Sequence, residues 1–124
     1  MSNLSISIPD SPAAYEPGSE AEVDLSWDLP EAPSRLVLRV VWNTEGKGDQ
    51  DLKIAKVVTI DSPGRSGSKT LVIILPWGPY SFSGKLISLQ WGFELIAFPS
   101  NESTREEFTL APEGREVRIL ADKA

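Results

Sequence analysis

The sequence contains neither histidine nor cysteine. Without cysteine there is no disulfide, thiolate nucleophile or zinc–thiolate site, and a cytoplasmic location is expected. Histidine is the only side chain whose unperturbed pKa lies near neutrality, so its absence excludes Ser-His and Cys-His catalysis and nearly every transition-metal site. A pair of carboxylates could still catalyse hydrolysis, but 18 scattered Asp and Glu residues are more typical of a solvated surface. We predict a protein that is not an enzyme and holds no transition metal.

Basic residues are also scarce. The 124 residues carry 12 Lys and Arg against 18 Asp and Glu, a formal net charge of −6. This balance argues against nucleic acid and anionic membrane surfaces as partners. No stretch approaches the roughly 18 apolar residues of a membrane span, and "MSNLSISIPDSP" lacks the basic start of a signal peptide. The length predicts one domain, residues 1–124, without membrane insertion.

Apolar residues alternate with polar ones along most of the chain. "EVDLSW" places Val23, Leu25 and Trp27 on one face, and "RLVLRVVW" and "KLISLQWGFELIA" repeat the pattern. Short breaks rich in Gly, Pro, Asn and Asp separate these segments, and Pro17-Gly18 is typical of a type II turn. We predict an all-β fold, an antiparallel immunoglobulin-like sandwich of about seven to eight strands.

Two segments depart from simple alternation. "TLVIIL", residues 70–75, is continuously apolar and predicts a strand buried on both faces. "DLKIAKVVTI" would place Lys56 on the face of its apolar residues. A β-bulge near Ala55 would turn Lys56 outward; alternatively, this is an edge strand whose inward lysine blocks pairing with other chains.

The stretch "PWGPYSFSGKLISLQWGFEL" divides into two parts. Trp91 and Phe93 share a strand face with apolar neighbours and are predicted to be core. Trp77, Tyr80 and Phe82 lie in a connection, residues 76–84, that is broken by proline and glycine. Aromatic loops on a rigid scaffold often bind partners, so these three residues are our candidate site. The alternative is that the loop folds back and plugs the end of the sandwich.

Two other groups of residues were considered as chemical sites. Ser81, Ser83 and Lys85 form a conceivable Ser-Lys pair, but nothing supplies an oxyanion hole or desolvates the lysine. The acidic 43–51 segment, "NTEGKGDQD", offers oxygen ligands that calcium prefers, but Lys47 lies among the acids. A charged hairpin loop is the favoured interpretation of that segment, with calcium binding as the alternative.

The segment "LPWGPYSFSGKLISLQWGFEL" resembles the arrestin-type sandwich, in which a strand ends in a proline-rich connection before a long alternating strand. "SISIPDSPAAYEPGSEAEVDLSWDLP" is similar to the earlier part of that pattern, with Pro17-Gly18 at its turn. The likeness covers about residues 4 to 110. Family members include arrestins, retromer-associated proteins and bacterial sporulation-control proteins, usually with two sandwiches in tandem.

The resemblance implies a non-catalytic adaptor or scaffold module without a cofactor. It does not carry over the grooves between two lobes, unless the chain forms a homodimer, or the basic residues with which arrestins sense phosphate. We expect a protein partner bound by an exposed strand edge or by the Trp77–Phe82 loop. The alternative function is carbohydrate binding, with Trp77 and Tyr80 as a stacking platform.

Overall fold

The structure is a computed structural model that describes residues 3–8, 14–46, 51–83, 87–111 and 117–118. Seven strands of five or more residues occur in these ranges, with three strands of two residues. The longer strands are β1 (Asn3–Ser7), β3 (Glu20–Asp28), β4 (Arg35–Gly46), β5 (Asp51–Asp61), β6 (Ser66–Ile74), β8 (Ile87–Phe98) and β9 (Ser103–Leu110). The short ones are β2 (Ala14–Tyr15), β7 (Phe82–Ser83) and β10 (Val117–Arg118).

The strands form two sheets. The small sheet has the order β1-β3-β6 and is antiparallel throughout. The large sheet has the order β10-β7-β8-β4-β5, with β9 also paired to β8 and β2 to β9. Only the short pairs β2–β9 and β10–β7 are parallel among the described strands. The predicted all-β, mostly antiparallel sandwich is confirmed.

The core is formed by the alternate residues that the period-two pattern places on one face. Trp91, Phe93 and Phe108 are fully buried, and the rings of Phe93 and Phe108 stack with centroids 4.5 Å apart. Trp42 packs at the margin of this core, 6.5 Å from Trp91 between ring centroids. The core assignment of Trp91 and Phe93 is therefore confirmed, because both side chains lie between the sheets.

The Pro17-Gly18 turn has the predicted geometry. Gly18 has a φ of +76°, and Ser19 N donates to Glu16 O at 3.1 Å to close the turn. A positive φ at the third residue defines a type II turn and favours glycine. Here glycine is also required for space, since a Cβ on Gly18 would lie 2.6 Å from the indole of Trp77.

Strand β5 shows both features that were proposed as alternatives for it. Its register with β4 shifts between Val40 and Val41, which leaves Ala55 as the extra residue of a bulge. The bulge does not turn Lys56 outward: Lys56 pairs with the core residue Val40. Instead the bulge moves Ile54 to the outer face, where it pairs with Val41. Lys56 is thus the inward lysine of an edge strand.

Strand β6 corrects the prediction for residues 70–75. The segment is not buried on both faces, because only the inner face of β6 packs against the core. β6 is also the end strand of the small sheet, with no strand beyond it among the described residues. Ile73 and Leu75 are in the core, whereas Val72 and Ile74 are exposed on the outer face. The continuous apolar run therefore corresponds to a strand with one buried face and one exposed apolar face.

Candidate binding surface at the edge of the small sheet

The Trp77–Tyr80 connection is tied to the body of the protein at several points. Leu75 N donates to Ser19 O at 2.8 Å, and Gly18 N donates to Pro76 O at 3.2 Å. The buried Trp91 then donates from Nε1 to Pro79 O at 2.6 Å. These bonds hold the backbone of the loop against the end of the sandwich.

Ser81 completes this anchoring. It is fully buried, its N–H donates to Leu110 O at 2.7 Å, and its Oγ accepts from Leu110 N at 3.0 Å. A hydroxyl engaged in this way serves to position the backbone. Ser83 as a side chain and Lys85 lie outside the described residues, so the Ser-Lys pair is not assessed further.

The aromatic side chains of the loop point outward even though its backbone is anchored. Trp77 is 78% exposed and Tyr80 is 42% exposed. One face of the Trp77 indole rests on Gly18, and the remainder is open to solvent. The loop therefore does not plug the core with these two side chains. Phe82 begins β7 and pairs with Leu89, and its side chain lies outside the described residues.

Two further exposed apolar residues lead toward Trp77. Val72 is 63% exposed and Ile74 is 57% exposed, both on the outer face of β6. Trp77 follows Ile74 closely in sequence and rests on the turn that leads into Glu20, the residue paired with Ile74. Val72 and Ile74 thus form an apolar strip on the outer face of β6, and Trp77 lies beyond the end of the strand, against the turn at Gly18.

The backbone of β6 is open beside this strip. Leu75 N donates to Ser19 O, and at the other end Leu29 N donates to Arg65 O. Along an antiparallel ladder, hydrogen-bonded residue pairs alternate with pairs that are not hydrogen-bonded. Because Arg65 and Leu75, just beyond the two ends of β6, both form such bonds, the odd-numbered residues of β6 are the ones that bond to β3. The even-numbered residues direct their N–H and C=O groups away from β3: Ser66, Ser68, Thr70, Val72 and Ile74. We call these groups, together with the Val72, Ile74 and Trp77 side chains, the β6 edge.

The outer face next to the β6 edge is acidic. Glu20, Glu22, Asp24 and Asp28 project from β3 on the same side as Val72. No basic residue belongs to this outer face within the described strands β1, β3 and β6. Thr70 Oγ1 donates to Asp24 Oδ1 at 2.6 Å, which fixes one of these carboxylates.

The outer face of the large sheet is built differently. Glu94 lies between two arginines: Arg39 donates to its Oε1, and Arg105 Nη1 donates to its Oε2 at 3.3 Å. The Arg105 guanidinium passes so close to Gly92 that a Cβ there would lie 2.9 Å from Nε. These side chains cover the centre of that face, where Val41 is fully buried although it does not belong to the core.

The acidic 43–51 segment is described only in part: residues 47–50 and the side chains of Glu45 and Asp51 lie outside the described residues, so calcium binding there stays a prediction. In the acidic 43–51 segment, Asn43 lies within β4 and its Oδ1 accepts from Arg105 Nη2 at 2.6 Å, so this amide is already engaged. No group of three or more metal-ligating side chains occurs among the described residues. A groove of about 330 Å³, lined mainly by Leu29–Pro33 and Phe98–Ser100, lies at the end of the sandwich opposite Trp77.

Sequence reasoning missed Val72 and Ile74. The available signal was Lys69, which pairs with the core residue Leu25 and so lies on the inward side of β6. An inward lysine marks an edge strand, as it does at Lys56 in β5. The apolar run from Leu71 to Leu75 outweighed that signal.

Comparison with known proteins supports the fold. The crystal structure of Spo0M, a sporulation control protein from Bacillus subtilis, superimposes with a TM-score of 0.60 at 15% sequence identity. The match covers 89% of this chain and 49% of Spo0M, so the chain spans about half of that protein's length. The predicted arrestin-like architecture is confirmed at the level of the fold.

The other comparisons add no function. A β-glucosidase from Listeria innocua in complex with gluconolactone superimposes with a TM-score of 0.49 at 11% identity, covering 89% of this chain and 16% of the enzyme. A superposition this loose carries no conclusion. No family model and no curated protein matches the sequence. Within the described residues, no helix is long and apolar enough to cross a membrane.

Proposed function

We propose that this chain is a non-catalytic protein-binding module that captures an extended segment of a partner at the β6 edge. The observation that carries the proposal is the coincidence of unpaired backbone groups with exposed Val72 and Ile74 on one edge strand. Strand addition obtains its affinity from main-chain hydrogen bonds and its selectivity from alternate side chains. A cytoplasmic location, inferred from the lack of cysteine, is part of the proposal.

Trp77 supports the same function. Its indole is held on one side by Gly18 and is open on the other. A large exposed aromatic ring offers much contact area, and tryptophans often dominate binding energies at interfaces. We propose that Trp77 closes over the end of the bound segment.

The test compares two edges of the same protein. V72K/I74K places two charges on the β6 edge, and V57K places one charge on β5 for comparison, where Val57 is 56% exposed. Proteins captured by the wild-type chain from a lysate of the source cells are quantified against both variants. A protein that depends on β6 is then purified, and its affinity is measured directly.

We expect V72K/I74K to weaken that affinity at least about tenfold, since about 1.4 kcal/mol or more is lost at the centre of the interface. W77A should weaken it about fivefold or more, and V57K should change it less than about twofold. Equal losses from V72K/I74K and V57K, or undiminished binding by V72K/I74K, would contradict the proposal.

Carbohydrate binding is the second candidate function, and the open face of Trp77 is the observation that favours it. A sugar ring stacked on the indole would shift tryptophan fluorescence. A saturable shift with one member of a sugar panel, lost in W77A and kept in V72K/I74K, would support this function. If no sugar of the panel changes the fluorescence, carbohydrate binding at Trp77 is excluded.

A further inference from the structure

The β6 edge has two halves with different chemistry. The half near Trp77 carries Val72 and Ile74, and the other half carries only small polar side chains on its outer face, Ser66, Ser68 and Thr70. An added strand would therefore meet apolar side chains along one half and open space along the other.

The open half borders two carboxylates. Asp24 pairs with Thr70, and Asp28 pairs with Ser66. A shallow hollow of about 480 Å³ lies here, lined on the outer face by Ser7, Asp24, Ser26, Ser68 and Thr70. Leu25 and Lys69 complete the lining, and they pair with each other on the inward side of the same strands.

The geometry suits a long cationic side chain. Strands in a sheet lie about 4.8 Å apart, so a residue of an added strand starts about 10 Å from β3. A lysine or arginine can cross that distance only where the intervening β6 side chain is short, as at Ser66 and Ser68. The absence of a basic residue on this face of the described small sheet leaves Asp24 and Asp28 without an intramolecular cation there.

We infer that the segment bound at the β6 edge is an antiparallel strand of a protein partner, with apolar residues opposite Val72 and Ile74 and basic residues opposite Ser68 and Ser66. This inference rests on the proposed function and specifies the partner's chemistry. Antiparallel addition is favoured because every strand pair longer than two residues in the described part of the chain is antiparallel. A second copy of the chain fits poorly, since its own β6 has no basic residue on the outer face.

The test uses two synthetic peptides that differ only in charge. The first is an acetylated and amidated nonapeptide with valine at positions 1 and 3, lysine at positions 7 and 9, and serine at the other positions. The second has glutamate in place of both lysines. Each is titrated to millimolar concentration into ¹⁵N-labelled protein, at low and at high salt, while amide shifts and sedimentation are recorded.

We expect the lysine peptide to shift the amides of Ser68, Thr70, Val72 and Ile74 and to bind at least about fivefold more tightly than the glutamate peptide. Added salt should weaken the binding of the lysine peptide, because salt screens the attraction between exposed charges. The D24N/D28N variant should bind the lysine peptide about threefold to fivefold more weakly than the wild-type protein does. Asn retains an acceptor for Thr70 at position 24. D61N removes a carboxylate from β5 instead and should have no effect.

The outcomes separate this inference from the function it rests on. Equal binding of the two peptides at these amides, or no effect of D24N/D28N, would overturn the basic-partner inference while leaving strand addition in place. If no β6 amide shifts with either peptide at millimolar concentration, strand addition itself fails. Self-association of the free protein that V72K/I74K abolishes would identify a second copy as the occupant and would also overturn the inference.

Discussion

Each sheet ends in a strand, β5 in the large sheet and β6 in the small one, and these two strands follow each other in the chain but differ as surfaces. Strand β5 is broken by the bulge at Ala55, and its register with β4 changes there. Strand β6 keeps one register with β3 over its whole length, from Ser66 to Ile74. A bulge twists an edge and interrupts its row of hydrogen-bonding groups. Both edge strands expose apolar side chains, Leu52, Ile54 and Val57 on β5 and Val72 and Ile74 on β6, so the unbroken register is the feature that distinguishes β6.

The largest expected contrast is between the two tryptophans near the end of β6. W91A removes a fully buried ring and the hydrogen bond to Pro79 O, and we expect it to lower the free energy of unfolding by about 3–5 kcal/mol. W77A should cost less than about 1 kcal/mol because the side chain is mostly exposed. Urea denaturation of both variants measures the difference. A core-sized loss in W77A would show that the ring stabilises the fold and is not a free binding surface.

A proline scan tests the alternation along β6. L71P removes an N–H that faces β3 and leaves a buried carbonyl unpaired, which should cost about 1–3 kcal/mol. V72P removes an N–H that faces outward, where proline is tolerated, and should cost less than about 1 kcal/mol. V72P should nevertheless abolish peptide binding at the β6 edge. Similar stabilities for the two variants would show that the assigned directions of the N–H groups are wrong.

Replacing the inward lysines, Lys56 and Lys69, by isoleucine tests how they affect stability and self-association. K56I places an apolar side chain beside the fully buried Val40 and should raise the free energy of unfolding by about 0.5–1.5 kcal/mol. K69I should raise it less because Lys69 is exposed. Both changes remove an edge-protecting charge, so we expect concentration-dependent self-association in sedimentation, and more of it for K69I on the unbroken edge. Strictly monomeric variants would show that the lysines do not protect these edges.

The smallest expected effects are the stability changes of V57K and V72K. Each adds a charge at an exposed position and should change the free energy of unfolding by less than about 0.5 kcal/mol. This near equality, checked by thermal denaturation, makes the pair a matched control for binding. A large loss of stability in only one of them would indicate that its side chain is packed.

The candidate site was predicted in part. Trp77 and Tyr80 were selected because proline and glycine interrupt any strand around them, and both side chains are exposed; their binding role remains a prediction. The hydrogen bonds that hold the loop backbone against the sandwich were not predictable from the sequence. Trp91 Nε1 reaches Pro79 O and Ser81 reaches Leu110 only after distant segments have come together, and no local pattern encodes such pairs.

The sequence by itself determined which side chains face inward along regular strands such as β3 and β8, because the alternation of a strand is a local property of the backbone. It therefore established the two-layer β fold, the buried Trp91 and Phe93 and the type II turn at Gly18. Only the tertiary structure decided which strands are edges, since a strand becomes an edge through the absence of a neighbour, and neighbours come from remote parts of the chain. The tertiary structure also decided which strand faces the core covers, so the apolar run did not reveal that Val72 and Ile74 are exposed. The surface proposed to bind a partner therefore emerged from strand order and layer packing together.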